Sequence, residues 1–417
     1  MTCFITETSL AELVDPHQLV FIPGSAAAPL AFMDALSRQK ESTRNLRILT
    51  SYVPSINHID IDTLDPSVRV TGLFMHAGLR NAQRDGRYQV LPISYAAFVR
   101  YLLDKVDLDL TIAQVSPPDE RGLCSLGPSV EFIPTALKKS RRVLGLINER
   151  TPYLPGSPTI PYRNFDYVCE VDTPLPEYKI SVDEMNRTIA RHVASLVSDG
   201  SVLQIGLGKV PAALSEQLHG HRHLRFHSGM LSDGLIGLAE AGAIDEGAMQ
   251  TACTLVGSET LYRWAADFQS LRILGCEVTH DLCALINLEK FISINSALEV
   301  DLFGQCNLEH SGGRAISGPG GAPDFARAAR LSPSGRSIIA LQATHHHGEG
   351  SRIVPTLSPP SIASLSRVDI DYVVTEYGVA HLGGACIDKR AKALIAIAAP
   401  QFREGLAQAW HGIALQL

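Results

Sequence analysis

Two stretches of this sequence share one outline, and that repetition narrows the fold more than any other feature. LVFIPGSAAAPLAFMDAL, residues 19–36, and SVLQIGLGKVPAALSEQL, residues 201–218, each run an apolar segment into a glycine turn and then into a helix of small residues. A short apolar run closed by Gly reads as a buried strand, and the helical spacing of apolar positions after it reads as a covering helix. Strand, tight turn and helix form the unit of an open α/β sheet. A chain that starts this unit twice is expected to build two α/β domains of one design.

The surrounding sequence continues the alternation. NLRILTSY, LDLTIAQVS, RRVLGLIN and FDYVCEV are predicted strands with helical stretches between them. The second half restarts with SVDEMNRTIARHVASLV as a capped amphipathic helix ended by Gly200, and RAKALIAIAAPQFREGLAQAW near the end is a predicted pair of packing helices. At 417 residues and 45% hydrophobic content the chain exceeds what one core usually organises, and 33 glycines with only 6% aromatics suit close helix-on-sheet packing. The proline-broken stretch of residues 151–178 is read as a segment crossing between domains. The expected domains are residues 1–180 and 181–417.

Charge and cysteine usage exclude several classes. A formal net charge of -7 argues against a nucleic-acid surface, and the densest basic run, LKKSRR at residues 137–142, reads as a solvated helix end. The eight cysteines form no CxxC pair, so neither a zinc site nor a disulfide framework is indicated. The N-terminal MTCFITETSLAELVD has no signal-peptide pattern and no long uninterrupted apolar run occurs. The expectation is a cytoplasmic protein without a membrane partner.

Three loops carry candidate chemistry. In QIGLGKVPAAL, Gly206 and Gly208 lie between a predicted strand and helix, where backbone amides can face a phosphate or an oxyanion; a purely structural turn would look the same. The motif is neither GxGxxG nor a P-loop, which disfavours dinucleotides and ATP. SGPGGAPDFARAA places Gly318, Gly320 and Gly321 before a helix opened by Asp324 and Phe325, so consecutive N–H donors can approach a bound group. AQVSPPDERGLCSLGPSVEF, residues 113–132, is a rigid loop at a strand C-terminus. His345, His346 and His347 point in different directions on any regular backbone, make a poor metal site and read as an exposed loop, and no metal is expected. Arg352 in SRIVP can supply a charge to a phosphate or carboxylate, or serve a structural ion pair.

VSPPDERGLCSLGPSVEF, LQIGLGKVPAAL, HSGMLSDGLIGLAEAGAI, GSETLYRW, INSALEVDLFGQCN, SGPGGAPDFARAA, SRIVPTLS and DYVVTEYGVAHLGG occur in this order, and as a set they resemble the acetyl-CoA hydrolase/transferase family, which includes 4-hydroxybutyrate, acetate and succinate CoA-transferases. The resemblance spans roughly residues 15–405. It implies two similar open α/β domains packed around an interdomain cleft that binds CoA, usually in a homo-oligomer. It also implies an acyl-CoA thioester and a small carboxylate as substrates, with no tightly bound cofactor. Gly206, Gly208, Gly318, Gly320, Gly321 and Arg352 are then the expected CoA-contacting residues.

In relatives a glutamate attacks the thioester, and the pattern around it looks like H-T-E-M/L-x-S-D-G. This chain reads His227, Ser228, Gly229, Met230, Leu231, Ser232, Asp233, Gly234, which puts glycine at the nucleophile's position. Three consequences are open. Another carboxylate can serve, the candidates being Glu299, Asp233, Glu259, Asp60 and Asp62. Transfer can proceed without a covalent intermediate, with space opened beside the thioester at Gly229 and with His227 as base or orienter. Or catalysis is lost and acyl-CoA binding kept. The expected function is CoA transfer between small carboxylic acids without the usual glutamate; the alternatives are thioester hydrolysis and a catalytically silent acyl-CoA-binding protein.

Overall fold

The computed structural model describes residues 2–345 and 348–417. The chain divides into two compact units, one holding Met1–Lys179, Leu231–Asp233 and Met249–Thr279, the other Ile180–Met230, Gly234–Ala248 and His280–Leu417. No single cut in the chain separates them.

The first unit is built on an eight-stranded parallel sheet. Its strands are β1 (Cys3–Phe4), β2 (Leu19–Ile22), β3 (Arg47–Thr50), β4 (Arg69–Gly72), β5 (Tyr88–Val90), β6 (Leu108–Val115), β7 (Ser140–Asn148) and β8 (Tyr167–Val171), in the order β1-β8-β7-β6-β2-β3-β4-β5. All but one residue of β6 are buried, as a central parallel strand covered on both faces requires. From β2 the chain builds outward to β5, then returns to the other side of β2 to lay down β6. The order therefore reverses between β2 and β6, where open α/β sheets place their ligands. Helix α1 (Leu30–Arg38) follows the turn after β2.

The stretch read as an interdomain crossing instead stays within this unit. Thr159–Pro161 pairs antiparallel with Leu123–Ser125, and Tyr167–Val171 is strand β8 itself. Proline breaks helices but is tolerated at the end of a short edge strand, where no ladder donor is lost.

The second unit repeats the scheme. Strands β9 (Val202–Ile205), β10 (Arg225–Leu231), β11 (Phe291–Ser296), β12 (Arg336–Ala340), β13 (Tyr372–Thr375) and β14 (Gly378–His381) lie in the order β10-β9-β11-β12-β13-β14, antiparallel only at the last pair. The run β10-β9-β11-β12-β13 follows the same connection order as β3-β2-β6-β7-β8, so the repetition seen in sequence is a repetition of topology. The second reversal lies between β9 and β11.

Five helices of this unit follow its strands or pack in its core. Helix α2 (Glu184–Ala194) starts at Asp183, whose carboxylate accepts the Asn186 N–H at 2.9 Å, a conventional N-cap. Helix α3 (Lys209–Gln217) follows β9, and α4 (Ala322–Leu331) follows the glycine loop of residues 317–321. The last two helices, α5 (Ile387–Ala396) and α6 (Pro400–Ala414), bury Leu394, Leu406 and Trp410 in the cluster that holds Ile339 and Val373. The predicted helix pair is thus a packing element.

Candidate active site

The glycines after β9 are fixed by what surrounds them. A Cβ on Gly206 would lie 2.8 Å from Asn295 Oδ1, and Gly208 has φ +133°, a region that L side chains rarely adopt. Under the turn sits a buried polar trio from β9 and β11. Gln204 Oε1 accepts from Ser293 Oγ at 2.7 Å and from Asn295 Nδ2 at 2.9 Å, while Gln204 Nε2 donates to Asn295 Oδ1 at 3.2 Å. Each polar side chain is answered by another, which makes the floor of the switch point rigid. The sequence reading passed over these three residues; the available signal was polar side chains inside the otherwise apolar runs VLQI and FISINS.

His227 and Gly229 occupy alternate positions of β10 and therefore share one face of the strand. Between them Ser228 Oγ accepts the Ile205 N–H at 3.3 Å and donates to the Ile205 carbonyl at 3.2 Å, tying β10 to the start of the glycine turn. Gly229 faces two rings. A Cβ there would touch Phe325 Cε2 at 3.4 Å and His280 Nε2 at 3.5 Å, so the side-chain volume at this position is bounded by two rings.

His280 is the group that sequence reasoning missed. Its ring leans on Phe325 with centroids 4.5 Å apart and planes at 47°, and it presses so closely on Gly321 that any Cβ at 321 would overlap Nε2. Burial drives its pKa down to about 3, with the neighbouring His227 adding to the effect, so the imidazole is neutral near pH 7. Nothing in THDLCALINL, a polar histidine before a short helix, announces this placement.

The remaining candidates fall into separate groups. Gly318 is buried and Gly320 has φ +56°, so the loop before α4 uses its glycines for conformation as well as for closeness. Glu299 Oε2 accepts from Ser361 Oγ at 2.7 Å and from Asn307 Nδ2 at 3.0 Å. Arg352 lies within electrostatic reach of Glu299 and Glu376, while burial lowers its pKa. Asp233 accepts the Ser258 N–H and hydroxyl, so it anchors a helix start. Glu259 begins that helix with its side chain exposed toward Arg263. Asp60 caps a short turn through the Asp62 N–H at 3.1 Å, and Asp62 pairs with Arg87 at 2.9 Å. His345 is a half-buried residue of a two-stranded ladder rather than an exposed loop residue; His346 and His347 lie outside the described residues.

Comparison with known proteins agrees with the topology. Residues 2–176 match the model of the acetyl-CoA hydrolase/transferase N-terminal domain, and residues 257–410 match that of the acetyl-CoA hydrolase/transferase C-terminal domain. The 4-hydroxybutyrate coenzyme A transferase of Clostridium kluyveri is 32% identical over 96% of this chain and 96% of its own length. The chain belongs to the acetyl-CoA hydrolase/transferase family. Among its relatives, the succinyl-CoA:cyclohexane-1-carboxylate CoA transferase of Geobacter metallireducens is 31% identical, over 96% of this chain and 93% of the relative. The crystal structure of a 4-hydroxybutyrate CoA-transferase from Porphyromonas gingivalis superposes with a TM-score of 0.81 at 28% identity, covering all of this chain and 98% of the other. These names place the chain in a family of enzymes of CoA transfer and acetyl-CoA hydrolysis.

In this member of the acetyl-CoA hydrolase/transferase family the two switch points differ. In the first unit the turn after β2, from Pro23 to Ala28, is wholly buried, whereas Gly206 to Gly208 in the second are partly exposed. The first is filled by Glu131, which accepts hydrogen bonds from Ser25 Oγ and from Ser51 Oγ, the latter at 3.1 Å. Burial raises the Glu131 pKa to about 7 against the lowering effect of both hydroxyls. This carboxylate was also overlooked in the sequence, where an acid inside the apolar run PSVEFI was its only mark. Among helices of the described residues, none is long and apolar enough to cross a membrane.

Proposed function

We propose that this protein moves CoA between small carboxylic acids, with acyl-CoA thioesters as donors and without a glutamate of its own as nucleophile. The observation that carries the reading is the partly exposed glycine turn at the second switch point, in a unit where strand position 229 offers no attacking side chain. N–H groups of the turn at Gly206–Gly208 and of the loop at Gly318–Gly321 polarise the thioester carbonyl. The acceptor carboxylate attacks that carbonyl and the C–S bond breaks, giving a mixed anhydride and CoA thiolate. The thiolate then attacks the acceptor-derived carbonyl of the anhydride, forming the new thioester and releasing the donor acid. Holding the three partners together supplies the rate advantage that a covalent intermediate otherwise provides.

His227, facing the same side of β10 as Gly229, orients the acceptor, and Arg352 neutralises a CoA phosphate or the acceptor carboxylate. A homo-oligomer in the cytoplasm completes this reading, and light scattering of the purified protein checks the assembly. Hydrolysis is the second reading: with water in the acceptor's place, the same polarised carbonyl yields acid and free CoA, an activity named among the family's members.

Incubation with acetyl-CoA or succinyl-CoA and a panel of carboxylates separates the cases. New thioesters support transfer, and release of free CoA alone supports hydrolysis. Binding with neither product identifies a catalytically silent acyl-CoA-binding protein.

A further inference from the structure

Two glycine positions and one phenylalanine ring converge on His280. Position 229 in β10 and position 321 at the start of α4 are distant in sequence, yet His280 Nε2 is the nearest or second-nearest atom to the place where each would carry a side chain. At Gly321 the ring excludes any Cβ; at Gly229 it permits a Cβ and borders whatever would extend beyond it. Phe325, on the first turn of α4, supports the ring from a centroid distance of 4.5 Å and itself belongs to the cluster of Val202, Leu285 and Phe291 under the sheet. The imidazole therefore cannot slide inward without disturbing that cluster.

We propose that His280 is the positioning residue of the second unit's site: its imidazole sets the distance between the Gly318–Gly321 loop and β10, and closes position 229 to an attached carboxylate. The inference rests on the functional reading above, in which Gly229 stands where relatives carry their attacking group. It goes beyond that reading because it couples position 229 to a second residue, His280. Restoring the carboxylate alone then does not restore the covalent route. In that route the glutamyl oxygen attacks the thioester carbonyl and CoA thiolate leaves; the thiolate next attacks the glutamyl carbonyl, leaving a glutamyl-CoA thioester and free acid.

The test uses the full chain and acetyl-CoA as probe, in the wild type, Gly229→Glu, His280→Ala and the Gly229→Glu/His280→Ala pair. After trapping with hydroxylamine or borohydride, peptide mass spectrometry reads modification at position 229. The double variant is expected to be labelled at least about 10-fold more than Gly229→Glu, a factor that corresponds to displacing one well-packed ring. Equal labelling of the two overturns the proposal.

A second arm needs no substrate. Gly321→Ala is expected to lower the Tm by roughly 5 °C when His280 is present and to have little effect when combined with His280→Ala, since overlap with the ring is the cause. Equal losses in both backgrounds overturn the packing claim. Thermal coupling without any labelling of the double variant, while the wild type still turns over acetyl-CoA, overturns the claim about position 229 alone; a wild type that neither transfers nor hydrolyses counts against the acyl-CoA reading, so the two failures are told apart.

Discussion

Glu131 and Ser25 are joined by a buried hydrogen bond from the seryl hydroxyl to the carboxylate, and both residues hold positive φ angles, 39° and 51°. Such backbone costs about 1–3 kcal/mol per residue and persists only where the surroundings over-determine it. Here they do. Asn57 Oδ1 accepts the Ser25 N–H at 2.7 Å while Asn57 Nδ2 donates to the Ser25 carbonyl at 2.9 Å, and Gly24 lies so close to the Ser51 carbonyl that no Cβ fits. The acid occupies in the first unit the place that a ligand takes at a switch point.

The pH dependence of stability follows from this acid. Its pKa rises from 4.5 to about 7 on folding, so the folded state holds the extra proton; the stabilisation is full below 4.5 and is lost as pH rises to about 7. The span amounts to roughly 3 kcal/mol. Glu131→Gln, neutral throughout, is expected to lack this decline. Urea titrations of both proteins between pH 4 and 8 check it, and parallel stability curves would refute the assignment.

His280 acts in the opposite sense. Its pKa falls from 6.5 to about 3, so the unfolded chain binds the proton more readily; stability from the neutral ring is present above 6.5 and is lost as pH falls toward 3. His280→Phe is expected to flatten the acid limb relative to wild type. Thermal melts across that range measure it, with an unchanged acid limb as the contrary result.

Gly208→Ala places a Cβ where φ is +133°. The turn must then shift its N–H groups, and under the oxyanion role proposed for it a loss of about 10²-fold in kcat is expected. Gly229→Ala meets only ordinary contacts and lies in a strand, so it is expected to leave the Tm unchanged or slightly raised. Steady-state rates and melts of the two variants supply the comparison; equal effects would show that the turn has no special role.

Asp233→Asn tests whether the acid nearest the altered motif is the nucleophile. The geometry assigns it to anchoring Ser258, which caps the helix beginning at Glu259. The variant is expected to lose about 1–2 kcal/mol of stability and to keep turnover within a few-fold of wild type. A 10³-fold or larger fall in kcat with an unchanged Tm would make Asp233 catalytic.

Local pattern made much of this legible. The strand at Leu108–Val115 is an apolar run of nearly full burial, the helix at Glu184–Ala194 begins at its capping Asp183, and the loop glycines at 206, 208 and 320 sit where close approach or positive φ requires them. The stretch 151–178 misled because its prolines suggested a linker, although a short edge strand accepts them. His345 misled for a related reason: a run of polar residues looks like a loop until a partner strand is known.

The sequence by itself determined the doubled α/β design, the positions of its glycine turns and the absence of a carboxylate at 229, because periodicity, turn chemistry and residue identity are local properties. Only the tertiary structure decided that His280 fills the side-chain space of Gly321 and borders that of Gly229, and that Glu131 fills the first switch point. A buried polar side chain is placed by partners far along the chain, and its own neighbours in sequence carry no periodic trace of them.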